Sequence, residues 1–178
     1  MMNMNNETID VLASKDLEGS DGSWRADDAS LVDPLSLERQ VCFALVVASR
    51  SVLSVYRPLL EPMGLTHPQY LVMLALWERS PLSVGEIGAL LQLDSPTLSP
   101  LLKRLAAAGL ITRTRSDDDE RRLCVELTAK GRDLRERAKL IPPAIVERLG
   151  IEVSELELLH GALTKVIKAA REAGEGAS

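Results

Sequence analysis

Aromatic residues are scarce in this chain. Phe, Tyr and Trp make up 3% of its 178 residues, against 46% hydrophobic residues in all. Its core must therefore be built from Leu, Val, Ile and Ala, the composition of packed helices. Cysteine is scarcer still. Two cysteines make no disulfide framework, and no metal-ligand spacing is present. A reduced, cytoplasmic protein without cofactor is the expectation. Long apolar runs are missing too. Val41–Ala48 and Leu71–Trp77 are the longest, far below the ~18 residues of a membrane span. The first twenty residues lack a basic stretch followed by an apolar one, so no signal peptide is expected. No internal repeat is visible.

Net basic charge is also absent. The formal charge is −5, which at first argues against nucleic acid. Its distribution answers this: residues 1–35 hold eight acids and two bases, leaving 18 acids against 19 bases in the rest. Local basic patches decide more than the total. Residues 1–34, rich in Asn, Asp, Ser and Gly and without a sustained period, read as a disordered acidic arm. A short helix over Thr8–Leu17 is conceivable within it.

What is present centres on Ser83–Leu127. Ser83 caps a short helix, with Glu86 three residues on to close a capping box. Val84, Ile87, Leu90 and Leu91 share one face. After Gln92-Leu93, Asp94 caps a second helix, Ser95–Ala108, with a core stripe of Leu98, Leu101, Leu102 and Leu105. Gly109 ends it. Two short helices joined by about three residues are the helix-turn-helix signature. Pro96, Ser99, Pro100, Lys103 and Arg104 point away from the leucine stripe. Small hydroxyls on Ser95, Thr97 and Ser99 would let the helix sink into a major groove. Lys103 and Arg104 would reach phosphates or guanine edges. Pro100 conflicts with the pattern and should bend or tighten the first turn. Beyond Gly109 the period changes. Leu110–Arg115 and Leu123–Leu127 read as strands joined by the polar loop 116–122. Arg121 or Arg122 at its tip could enter a narrow minor groove, oriented by aspartates such as Asp119.

Around this module the periodicity predicts a helix from Leu35 to about Leu60, capped by Ser36 and ended by Pro58 and Pro62. A second helix runs from His67-Pro68 to about Arg79, capped by Thr66. A third starts at Thr128 and stops or kinks at Pro142-Pro143, resuming through Gly150. A last one, Ser154–Ala173, has the stripe Leu156, Leu159, Leu163, Val166 and Ile167. These helices exceed what a minimal winged helix needs, and a second copy would cover their stripes.

The order of helices, the Leu82–Glu86 and Leu93–Leu105 runs, Gly109–Arg113, Asp119–Arg122 and Leu127-Thr128 resemble the MarR family. Gln40–Leu45, Tyr56–Leu60 and Pro68–Leu71 resemble its OhrR branch of organic hydroperoxide sensors. The resemblance covers roughly Leu37–Ala173. It implies a mainly α fold with a small β-hairpin wing, a winged helix-turn-helix of MarR type in an obligate dimer. Residues 35–62 and 128–173 would form the dimerisation helices and 66–127 the winged module. It implies a non-enzymatic repressor that binds a pseudo-palindromic double-stranded operator and releases it on oxidation. The implied DNA contacts are Ser95, Thr97, Ser99, Lys103, Arg104, Arg113, Asp119 and Arg121.

Cys42 matches the sensing thiol and Tyr56 one tyrosine that hydrogen-bonds it. Where a second tyrosine is expected, this chain has His67, whose imidazole can also donate. Cys124 does not match a resolving thiol, which implies capture by a small cellular thiol. The residues alone leave Cys42 open, since a lone Cys on an apolar helix face is also an ordinary core residue. Tyr56 can equally be an interface residue and His67 a first-turn residue. Fourteen residues separate Tyr56 from Cys42, ~21 Å along one helix, so an antiparallel partner helix would have to bring them together. Cys124 shares a strand face with Glu126 and should be an exposed, passive thiol. Competing readings are a MarR-type repressor relieved by a small apolar or phenolic ligand with Cys42 structural, a thiol peroxidase, and a winged helix for protein contacts.

Overall fold

The computed structural model describes Leu37, residues 40–115 and residues 123–175. These fall into two compact units divided between Val46 and Val47. The acidic arm and the loop 116–122, with Asp119, Arg121 and Arg122, lie outside the described residues.

Helix α1 covers Val41–Leu60. It begins later than the expected Leu35. Leu37 accepts from the Gln40 N–H at 3.1 Å, and α-helical bonding starts only with Ala44 N–H to Gln40 O. Pro58 lies within its last turn rather than ending it. A 3₁₀ turn, Glu61–Met63, leads to Gly64 in the left-handed conformation. Leu65 N–H closes this corner on Leu60 O. By mean hydropathy, 1.3, Val41–Met63 reaches the level of a membrane span although the sequence has no unbroken apolar run of that length. Ser49, Arg50, Ser51, Ser54 and Arg57 interrupt it.

Helix α2, His67–Glu78, follows. Gln69 Oε1 accepts from both the Thr66 N–H and its hydroxyl at 2.8 and 2.9 Å. This helix is buried on most sides, through Gln69, Tyr70, Val72, Met73, Ala75 and Leu76. Strand β1, Leu82–Ser83, pairs with β3 and was not foreseen. Two residues are too few to show a period; only the presence of β3 makes them a strand. Helices α3, Val84–Leu91, and α4, Ser95–Ala107, form the helix-turn-helix. Strands β2, Ile111–Arg115, and β3, Leu123–Leu127, form the antiparallel wing, and the sheet order is β1-β3-β2.

Ser83 and Glu86 form the expected capping box. The turn after α3 has two features a pattern could not give. Gln92 takes φ 54, left-handed without being glycine. Leu93 N–H bonds back to Gly88 O at 2.9 Å, and a Cβ on Gly88 would lie 2.9 Å from Leu93 O. The close approach therefore needs glycine there. Leu90, expected on the core face, is 56% exposed. Ile87 alone is fully buried in α3, with Val84 and Leu91 partly buried against the core one turn to either side.

Helices α5, Ala129–Ala138, and α6, Ile141–Leu149, break at Lys139-Leu140, so both prolines sit in the first turn of α6 where proline is tolerated. Helix α7 is Val153–Glu175. The core joins Leu60, Val72, Met73, Leu76, Leu82, Ile87, Leu98, Leu102, Leu105, Val125 and Ile141. None of the described residues of α7 is buried; Leu159, Val166 and Ile167 are about half exposed.

Candidate nucleic-acid interface and aromatic cluster

The interface begins at the α4 cap. Asp94 Oδ1 accepts from Thr97 N–H at 3.0 Å. Hydrogen bonding to the Thr97 side chain, then to its backbone, holds the Asp94 carboxyl below its usual range. Leu98, Leu101, Leu102 and Leu105 are buried as the stripe requires, and Ser95, Pro96, Thr97, Pro100, Lys103 and Arg104 are exposed on the other side. Ser99 is half-buried rather than outward. It follows Leu98 directly, at the edge of the core stripe. Pro100 does not end the helix: α-helical structure continues through it to Ala107. Proline removes one N–H, and burial of Leu98, Leu102 and Leu105 offsets that single loss.

The far end of α4 is fixed on two sides. Gly109 takes φ 70. Leu110 N–H then bonds to Leu105 O and Gly109 N–H to Ala106 O, closing the helix end. The first turn of α5 supplies further donors. Thr128 Oγ1 donates to Gly109 O at 2.7 Å, and Lys130 Nζ to Ala108 O at 2.8 Å. Lys130 is thereby a cap for the carbonyl end of the reading helix. Gly131 is buried, and a Cβ there would collide with the Leu110 carbonyl oxygen.

On the wing, Arg113 stands opposite Val125 and is half-buried. Its Nε is enclosed, with no hydrogen-bond partner among the described residues. Cys124 is opposite Ser83 and Thr114, flanked by both neighbouring strands. It is half-buried, not the exposed thiol expected of a hairpin edge. The unforeseen β1 makes β3 the central strand, and that explains the difference.

Cys42, in the first unit, is exposed in the single chain. Beside it Phe43 is half-buried, while Leu45 and Val46 are exposed. In the second unit Tyr56 and His67 meet edge to face, ring centroids 5.0 Å apart and planes at 76°. The corner at Gly64 folds the start of α2 back against α1 and so joins residues from two helices. Sequence reasoning missed two more members. Tyr70 lies 6.2 Å from Tyr56 and 6.5 Å from His67, and Trp77 lies 6.2 Å from Tyr70. The spacing from His67 to Tyr70, three residues on a helix, was the available signal. Three of the chain's five aromatic residues thus gather in one place. Burial pushes the Tyr56 phenol up and the His67 imidazole down. Both are therefore neutral at pH 7, each with a proton to donate. Burial, then the neighbouring Tyr56, also raises Tyr70. An open cavity of about 510 Å³ adjoins them, lined by Leu53, Arg57, Leu60, Leu65, Thr66 and His67 among others.

Residues 54–137 match the family of transcriptional regulators SarA/Rot. The chain is 43% identical over 136 residues to the organic hydroperoxide resistance transcriptional regulator of Bacillus subtilis strain 168, spanning 76% of this chain and 92% of that one. It is 46% identical over 127 residues to the helix-turn-helix transcriptional regulator TtmR of Methylorubrum extorquens, spanning 71% and 65%. Among solved structures it is similar to reduced AbfR bound to DNA, with TM-score 0.63, 34% identity, and 75% and 94% of the two chains covered.

Proposed function

The chain belongs to the MarR family of winged-helix transcriptional regulators, and from that footing we propose that it represses transcription until an organic hydroperoxide oxidises Cys42. The observation that carries the reading is the Tyr56–His67 pair: two neutral donors from different helices, 5.0 Å apart and beside an open cavity. They are what a thiolate needs to be held and activated. The identity to an organic hydroperoxide resistance regulator supplies the oxidant class.

The acting form is a homodimer in the cytoplasm. The exposed apolar residues of α7 (Leu158, Leu159, Val166, Ile167), and those of α1, are its interface. Serines and arginines within α1 suit a partner helix better than lipid. Two reading helices then meet a pseudo-palindromic operator one turn apart, ~34 Å. Ser95 and Thr97 approach the major groove, Ser99 reaching it only from the edge of that face, with Lys103 and Arg104 on phosphates or guanine edges. Arg121, oriented by Asp119, enters the minor groove. Arg113 contacts the DNA from strand β2, beside the wing loop.

In the reduced dimer the Cys42 thiolate accepts hydrogen bonds from the partner copy's tyrosine and imidazole. It attacks the terminal oxygen of the hydroperoxide. The S–O bond forms as the O–O bond breaks, and an alkoxide leaves and takes up a proton. Sulfur is oxidised by two electrons, the peroxide is reduced to an alcohol, and Cys42 becomes a sulfenic acid. A small cellular thiol then attacks that sulfur, releasing water and leaving a mixed disulfide. Moving the dimer from mostly competent to mostly incompetent needs roughly 5 kcal/mol. One lost hydrogen bond supplies about 0.5–3 kcal/mol, so the bulk of the mixed disulfide completes the release. Peroxide is consumed once per thiol, as in a sensor and not an enzyme.

The test is operator binding before and after cumene hydroperoxide, with mass spectrometry of Cys42. The native protein should release the operator as Cys42 gains oxygen and then the added thiol. Cys42→Ser should keep it. Release by Cys42→Ser on oxidation removes the sensor assignment. The cavity favours a second reading, release by a small apolar or phenolic ligand with Cys42 structural. Release by an aromatic acid without oxidation would select it.

A further inference from the structure

The aromatic cluster does not end at His67. His67, Tyr70 and Trp77 stand on α2 at steps of three and seven residues, within ~80° of one another around the axis. Tyr56 and Tyr70 are in ring contact, and Tyr70 meets Trp77 edge-on with planes at 66°. The far end of the row makes a specific bond: Trp77 Nε1–H donates to Gly131 O at 2.8 Å. Gly131 is packed so closely on Leu110 that no side chain fits there. The same turn of α5 holds Ala108, Gly109 and Leu110, the residues that end the reading helix, through Lys130 and Thr128. A continuous series of contacts therefore runs from the Tyr56–His67 pair to the carbonyl end of α4.

We propose that Tyr70 and Trp77 are positioning residues which transmit the state of the Tyr56–His67 pair to the reading helix through the Trp77–Gly131 bond. The inference rests on the peroxide-sensing reading above. Helix α2 suits the role because it is buried on most sides, so it moves as one body rather than bending. The ten residues from His67 to Trp77 span ~15 Å. A displacement at the first turn thus arrives at the last with little loss. At that end there is little slack: the indole N–H bonds to the Gly131 carbonyl, and Gly131 is packed hard against the Leu110 backbone. Trp77 has no place in the thiol chemistry and makes no part of the outward face of α4, so a change there separates transmission from sensing and from DNA contact.

The experiment compares native protein, Trp77→Phe and Tyr70→Leu. Trp77→Phe keeps a ring against Tyr70 and deletes only the N–H donor; Tyr70→Leu removes the ring and leaves the bond to Gly131. For each, operator affinity is measured reduced and after cumene hydroperoxide. The rate of Cys42 sulfenylation is followed by mass spectrometry, and thermal unfolding is recorded alongside. Native protein should lose affinity by about 5–150-fold on oxidation. Trp77→Phe should bind operator as tightly when reduced and oxidise at the native rate. Its loss of affinity on oxidation should shrink by roughly threefold or more, within the range one hydrogen bond commands. Tyr70→Leu should shrink it likewise, and decides the matter if Trp77→Phe does not fold. Retention of the full native ratio by the folded variants overturns the coupling alone. Native protein that keeps its operator while Cys42 is fully sulfenylated overturns the sensing reading, and the coupling falls with it.

Discussion

The reading helix α4 and the last helix α7 have similar apolar stripes and opposite fates. In α4, Leu98, Leu102 and Leu105 are at most 1% exposed, whereas in α7 Leu159, Val166 and Ile167 are 46–52% exposed. The difference is in what each helix meets. The stripe of α4 faces α2, α3 and β2, all within about forty residues of it along the chain. The stripe of α7 finds no such surface among the described residues. The stripe of α4 is buried within the chain's own core, which Leu60 of α1 and Ile141 of α6 also join; the stripe of α7 is the apolar surface that the proposed second copy would cover.

That contrast can be broken most forcefully at α7. Ile167→Asp places a charge at the proposed two-fold interface twice per dimer. Losing the burial of the exposed half of two isoleucines costs about 1.5–3 kcal/mol of association, and two unpaired buried carboxylates cost several kcal/mol more. Sedimentation should show native dimer and variant monomer at micromolar concentration, with helical content kept. A variant that stays dimeric would place the interface elsewhere. In α4, by contrast, Leu102→Ala should lower the stability of the fold itself by about 2–5 kcal/mol, because Leu102 is fully buried within the chain. Denaturant unfolding checks it, and the native oligomer should survive below the new midpoint.

The exposed side of α4 sharpens the comparison further. Arg121→Ala, in the wing loop, should cost ~1–3 kcal/mol of specific operator affinity. Lys103→Ala should instead flatten the salt dependence by about one unit of slope, as the loss of a phosphate contact requires. Equal affinities at low and moderate salt for native and both variants would remove the DNA reading of this face.

The smallest effect is a pH dependence. Burial lowers the His67 pKa below the ordinary 6.5. The unfolded chain therefore binds the proton more readily than the folded one, and stability rises with pH between the two values. Its contribution is complete above pH ~6.5 and is lost as pH falls toward the folded value. His67→Gln cannot titrate. Its melting temperature should fall less than the native one between pH 7 and 5, measured by circular dichroism, and parallel curves would mean that burial of His67 has no energetic consequence.

Local punctuation carried much of the fold into view. Ser83 with Glu86, Asp94, Thr128 and Gly109 each act at short range on their own helix ends. Such interactions need only neighbours in sequence, so a pattern of residue types reveals them. The leucine stripe of α4 was legible for the same reason. Tyr56 and His67 could be named from their motif, but their ring contact depends on the corner at Gly64.

Residue types alone were enough for where these helices are capped, which face of α4 is apolar, and the outward placement of Ser95, Thr97, Lys103 and Arg104. Tertiary structure decided what depends on partners distant along the chain. The α-helix runs through Pro100 because distant side chains bury its leucines. Leu82–Ser83 is a strand only because β3 lies beside it. Cys124 is half-buried because that pairing makes its strand central. Trp77 finds Gly131 fifty-four residues away, and Gly131 must be glycine because Leu110 occupies the space of a side chain. A cap or a periodic stripe is paid for locally, within a turn or two of helix. A pairing across fifty residues follows from how all the elements pack together, and no local pattern encodes that.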